Sequence, residues 1–382
     1  MMRMAIYTYR WLLSGGLLLS LLLFCVSCSS DEAEEVPRIN IYVYAPDRPI
    51  ATRGEVEPTA DEAKVHSLRI WVFKSSNPDK SVASLSLNTE EELEALNENK
   101  SASYSLEVTD RSFAQNPEPV DVYVMANVTE GDNSTYYNSG SSLDDAFLNG
   151  GDYFKFTTTG KATSAVSSTG IPMTGVARGK KVIDNHSVLH VNDANLKLVR
   201  AVSKIRFVFA ALKDMPNMYV DGIKLGKNML YKKEYYFLND DHPNYWVEDV
   251  YDQEVEVAES DLTNPIKQIE DPTKYIFTSG MTDTQYENII NKGISDKELV
   301  ELSTVYLPES DKRLSGTIYF RLSTDMKKQL SASFRMVSGD FRRNQTWIVY
   351  AYYIGSLKLE VTSVQVTDWT TGTDWEHEIN NW

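Results

Sequence analysis

Cys25 and Cys28 are the only thiols in this 382-residue chain, and both stand near its start. Ahead of them run Arg3, Arg10 and an apolar stretch from Trp11 to Val26, broken only by Ser14, Gly15, Gly16 and Ser20. A positive start, a short apolar stretch and a small residue before the cut make an export leader. Ser27 precedes Cys28, whereas bulky Phe24 precedes Cys25, so Cys28 is the thiol placed to carry a diacylglycerol. The rival reading is a membrane anchor. It needs about 20 apolar residues, and this run is a little short. No cysteine pair remains beyond the leader, so stability after export must come from packing and strand pairing rather than a disulfide.

Arginines supply a second kind of chemistry, peptide-bond cleavage by an Arg-specific protease. Arg48 precedes Pro49, a bond such proteases generally leave intact, and a cut after Arg38 would leave the following apolar strand on the body. Only Arg53-Gly54 separates that strand from the rest of the chain. Spacing alone leaves Arg53 open as an ordinary loop arginine. His186 and His190 have the spacing of a metal pair, but no cysteine or carboxylate motif completes a site, so no metal and no cofactor is expected. No Gly-rich phosphate loop, His-Glu-x-x-His or Gly-x-Ser-x-Gly is present, and Asp240-Asp241 reads as a solvated turn. The chain does not read as an enzyme.

The elements that would position these residues are strands. Ile39, Ile41, Val43 and Ala45 alternate with Asn40, Tyr42 and Tyr44, the period of a strand with one apolar face, and Pro46 and Pro49 end it. The acidic run at residues 31–35 before it is a solvated tether. Beyond the polar linker after Gly54, strands are predicted at residues 65–73, 103–109 and 120–128, with a short helix at 90–99 and a helical turn at 143–148. Residues 171–175 and 187–191 close this first unit. A second strand system is predicted to open at 196–209. It continues at 219–225, 274–277, 304–306, 316–322, 330–337, 346–354 and 357–366. With 22 tyrosines, 19 glycines, 13 prolines and no βαβ rhythm, the class is all-β, a sandwich rather than a parallel sheet. The predicted division is a leader at 1–27, a lipidated propeptide at 28–53, and body domains at 54–192 and 193–382. Formal net charge is −16, and loss of residues 1–27 removes only Arg3 and Arg10 to leave −18, a balance that disfavours nucleic-acid binding.

Several motifs, taken in order, resemble the fimbrillin family of Bacteroidales, the subunits of strand-exchange pili. They are the Cys28 lipid site, Ala51-Thr-Arg-Gly54 and Val65-His-Ser-Leu-Arg-Ile-Trp-Val-Phe73. Next come Ile171-Pro-Met-Thr-Gly175 and Leu198-Val-Arg-Ala-Val-Ser-Lys-Ile205. Tyr306-Leu-Pro-Glu309, Phe341-Arg-Arg-Asn-Gln345 and Val366-Thr-Asp-Trp369 complete the series. The resemblance implies two transthyretin-like β-sandwich domains and export as an outer-membrane lipoprotein through Cys28. It also implies cleavage after Arg53 by a surface protease, and assembly with other copies or related fimbrial subunits on a cell-surface fimbrium. Residues Ile39, Ile41, Val43 and Ala45 would then be the removable strand. The donor replacing it would lie in residues 364–382, with Val364, Val366 and Trp369. The chain runs on to Trp382, past a minimal stalk ending, which leaves stalk, tip and uncleaved anchor open. The parity change at Thr362-Ser363 predicts a bulge or a crossing between sheets. The rival function is a surface glycan-binding lipoprotein using Trp71, Trp246 or Trp347 as sugar platforms.

Overall fold

Period-two alternation at the start of the chain produces the strand it predicts. In the computed structural model, residues 36–46, 62–128, 170–185, 188–192, 196–232, 235–238, 244, 246, 249–336, 341–355 and 357–366 are described. The first strand, β1 (Arg38–Tyr44), presents Ile39, Ile41 and Val43 inward, each fully buried, and leaves Tyr42 half exposed. The first half continues with β2 (Leu68–Lys74), β3 (Asn77–Leu87), β4 (Ser101–Glu107), β5 (Val120–Ala126) and β6 (Met173–Lys180). Four short strands follow: β7 (Val182–Asn185), β8 (Val188–Val191), β9 (Leu196–Lys197) and β10 (Val199–Arg200). They form two sheets, one ordered β4-β1-β8-β7 with β9 also on β1, the other ordered β10-β6-β5-β2-β3.

One apolar core lies between these sheets and takes residues from both. The helix α1 (Glu90–Asn99) starts at a Thr89–Glu92 capping box and buries Leu93 and Leu96 against that core. A single turn of helix, α2 (Arg111–Gln115), is capped by Asp110. Strands β2 and β5, both interior to the second sheet, are buried on both faces. Leu68, Ile70 and Val72 face the core, while Trp71 and Phe73 join Tyr123, Tyr236 and Phe237 on the outer side. That outer cover explains the nearly continuous apolar run at residues 120–128, which alternation alone would not allow.

At the end of these strands Asn127 adopts a left-handed conformation, φ 61°, and is fully buried. Its Oδ1 accepts from the His66 backbone N–H at 2.7 Å, and its Nδ2 donates to the Lys64 and Ile171 carbonyls at 2.8 Å. Asn127→Ala strips partners from three backbone groups and puts a Cβ-bearing apolar residue at positive φ. It is expected to cost about 2–3 kcal/mol, read as a lowered urea midpoint with an unchanged slope.

The second half comprises β11 (Ser203–Leu212), β12 (Met218–Leu225), β13 (Val255–Ala258), β14 (Gln268–Ile269) and β15 (Val300–Leu307). It ends with β16 (Ser315–Leu322), β17 (Asp325–Arg335), β18 (Thr346–Tyr353) and β19 (Leu359–Val366). One sheet is ordered β14-β11-β18-β19 with β15 on β11, the other β13-β12-β16-β17, and a second core lies between them. A helix not predicted from the sequence, α3 (Asp283–Ser295), covers the outer face of β11 and β18 through Tyr286 and Ile290. The strand predicted at 274–277 is instead part of a 3₁₀ turn, Pro272–Tyr275, capped by Asp271.

Leu196–Arg200, predicted as the opening of the second domain, pairs with first-half strands: β9 with β1 and β10 with β6. Leu196 and Leu198 accordingly belong to the first core, so the crossover falls near Ala201, not between residues 192 and 193.

Candidate functional site: the seat of the first strand

The first strand is not an appendage. Along one side β1 pairs antiparallel with β4 over its whole length, from Arg38↔Glu107 to Tyr44↔Ser101. Along the other it pairs parallel with two short strands, Arg38–Asn40 against Val188–His190 of β8, and Val43–Tyr44 against Leu196–Lys197 of β9. Bonds just outside the ladder close both ends: Val108 N–H to Pro37 O at 2.9 Å, Ala45 N–H to Lys100 O at 3.0 Å, and Leu198 N–H to Tyr44 O at 2.8 Å. Inward, Ile39, Ile41 and Val43 lie in one cluster with Leu106, Leu189 and Leu196. Burial pushes the Tyr104 hydroxyl, in register with Ile41, up to about 12. The Arg38–Glu107 pair at the outer rim is 3.6 Å apart with both side chains more than half exposed. It adds little stability.

This seat can do no acid–base or nucleophilic chemistry. It can hold a strand. Of the residues predicted for the site, Ile39, Ile41, Val43 and Ala45 are all in it, with Ala45 at 6% exposure on its rim. Cys28, Arg53, Gly54 and Trp369 lie outside the described residues.

Val364 and Val366 are placed differently from the prediction. They belong to β19, which pairs antiparallel with β18 of its own half, Val364 opposite Ile348 and Val366 opposite Thr346. The register is unbroken from Tyr353↔Leu359 to Thr346↔Val366, so there is no bulge at Thr362-Ser363. The reason is that β19 meets the core on one face, through Leu359 and Val361, and α3 on the other.

Trp71 and Trp347 are each 1% exposed and cannot stack a sugar from solvent. Trp246 is only partly buried and stacks on Tyr231, ring centroids 5.7 Å apart and 17° from parallel.

The junction between the halves escaped the sequence reading. Glu62, at 2% exposure, sits where the linker meets the body. Lys204 Nζ donates to its carboxylate at 2.8 Å, the Tyr306 hydroxyl donates to the same oxygen, and Arg200 Nε donates to its backbone carbonyl at 3.2 Å. Burial pulls Arg200 down to about 10 and holds the Lys204 amine below its ordinary range, although Glu62 acts the other way on both. Next to it Arg206 clamps Glu301 through Nη2 at 2.6 Å and reaches Asn291 at 2.7 Å. Beyond these polar groups Phe237 meets Tyr123 edge-on at 5.1 Å, and Arg343 Nη2 donates to the Tyr235 carbonyl at 2.9 Å.

The chain is of the all-β class, two consecutive β-sandwiches with the first described strand held between flanking strands. The comparisons agree. Residues 43–202, which end where the strands of the first half end, match the family model described as major fimbrial subunit protein (FimA). The fold is similar to a candidate cell adhesion protein from Parabacteroides distasonis (13% identity, 87% of this chain and 98% of that one, TM-score 0.53). It is also similar to the C-terminally truncated tip fimbrial protein Mfa3 from Porphyromonas gingivalis (15%, 87% and 99%, 0.50). A further candidate cell adhesion protein, from Bacteroides eggerthii, is similar too (13%, 87% and 96%, 0.51). No curated protein sequence matches the chain. Residues 43–202 are thus similar to the major fimbrial subunit family. The family matched over that stretch is one of structural fimbrial subunits, a non-enzyme kind of protein.

Proposed function

We propose that the protein is exported as an outer-membrane lipoprotein through Cys28, cut after Arg53, and polymerised by exchange of β1 for a strand of another subunit. The observation that carries this reading is the position of β1. It lies inside a sheet with partners on both sides and three fully buried aliphatic side chains, yet it is the first of the described strands. A strand so placed can be replaced by another of like pattern without remodelling the body, because ladder bonds and alternate pockets are all it supplies. The exchange is head-to-tail and does not close, so it builds a filament.

The donor is drawn from residues 364–382, with Val364, Val366 and Trp369; the pairing of Val364–Val366 with β18 in the single chain favours the residues beyond them. An uncleaved subunit would keep β1 and serve as an anchor.

The test is the amino terminus of protein sheared from cells, read by mass spectrometry. A start at Gly54 is expected, and Arg53→Ala is expected to abolish that terminus and the detergent-resistant ladder. A start at lipidated Cys28 with β1 retained would refute exchange at this seat.

A further inference from the structure

The pairing of β1 has a consequence for what happens when the chain beside it is cut. In its sheet β4 pairs with β1 and with no other named strand, and β8 pairs with β1 and its hairpin mate β7. β9 pairs only with β1. Apart from the β7–β8 hairpin, no two of the remaining strands of this sheet pair with each other among the described residues. Taking β1 away would therefore not uncover a ready slot. It would leave a lone strand, a two-stranded hairpin and a two-residue strand over an apolar floor. A hairpin by itself is marginal in water and a single strand weaker still, and Leu106, Leu189 and Leu196, now at most 2% exposed, would meet solvent. Cutting the backbone beyond the strand breaks none of these contacts, since the ladder ends at Tyr44 and the last bond is from Ala45 N–H.

We propose that cleavage between β1 and Glu62 does not release β1. The excised strand stays in its seat as a non-covalent ligand and leaves only when a strand from a second subunit takes its place. This rests on the strand-exchange reading above and adds an order of events to it. Cleavage arms the subunit, the departing strand keeps the sheet intact in the interval, and the arrival of the donor starts polymerisation. A freshly cut subunit would otherwise expose unpaired edges and apolar floor, the usual start of aggregation.

The test imposes the cut. In the full chain, extracted in mild detergent, the recognition sequence of a site-specific protease replaces residues 50–56. After cutting, the body and the β1 peptide are followed by gel filtration and native mass spectrometry. The expected result is a one-to-one complex that persists through the column. Ile41→Ala, which removes a fully buried side chain, is expected to speed peptide release about tenfold or more. Tyr42→Ala, half exposed beside it, is expected to leave release within about twofold of wild type, as surface changes usually do. Free peptide eluting apart from the wild-type body directly after the cut would overturn the proposal. So would equal acceleration by Tyr42→Ala and Ile41→Ala. Because the cut is engineered, a natural terminus other than Gly54 would count against the processing reading alone, and the two failures are separable.

Discussion

Ile41→Asp is expected to unfold the first half of the precursor, with a loss above about 4 kcal/mol. Ile41 is fully buried at the middle of β1, opposite Tyr104 and within the first core. An ionised carboxylate there would sit within the apolar core, and on this flank Ile41 falls between the stretches held by β8 and β9. The milder Ile41→Ala should cost about 2–5 kcal/mol through lost burial and the cavity left behind. Tyr42→Asp, one residue on and half exposed, should change stability by less than about 0.5 kcal/mol. Urea unfolding of the precursor, followed by the fluorescence of Trp71 in the first core's outer layer, separates the three. Equal effects at positions 41 and 42 would contradict the seat. A body that begins at Gly54 and carries another strand in the seat no longer contains position 41, so the defect should be confined to the precursor.

The second large effect belongs to the junction. Glu62→Gln is expected to cost about 3–5 kcal/mol, the range found when one partner of a buried ion pair is removed. The reason is what remains: Lys204, at 13% side-chain exposure, and fully buried Arg200 both lose the carboxylate that faces them. The Lys204→Met single variant and the double variant complete a cycle. Its coupling energy should exceed about 0.5 kcal/mol if the 2.8 Å contact is what joins the pair. Additive changes would mean that the two side chains act independently. Because Glu62 lies nine residues after Arg53 in sequence, this bond also fixes where an arm freed by processing would be tied to the body.

Much of this architecture is readable in the residues. The alternation of Ile39, Ile41 and Val43 is enough to specify a strand with one buried face, and the nearly continuous apolar run at 120–128 specifies a buried strand. Thr89 and Glu92 announce α1. Other elements are hidden for identifiable reasons. In α3 the apolar period is interrupted by Asn291-Lys-Gly293, and the glycine is required because a Cβ there would lie 2.7 Å from Leu299 and Tyr275. β3 begins Asn77-Pro-Asp-Lys, residues that read as a turn.

The scattered motifs that marked the family show the same division. Ile171 supplies a carbonyl to Asn127, and a Cβ on Gly175 would lie 2.9 Å from the Lys197 carbonyl, which lets β9 pass close to β6. Arg200, Lys204 and Tyr306 converge on Glu62. Gln345 O accepts from Lys204 N–H at 2.8 Å, and Asn344 N–H donates to Val202 O at 2.7 Å. Local pattern alone determined the strand character, because that depends on neighbours in sequence. Only the tertiary structure decided that β1 sits between partners, that β19 belongs to its own half, and that distant motifs meet at one junction. Those facts depend on pairings between residues tens to hundreds of positions apart, about which period and spacing are silent.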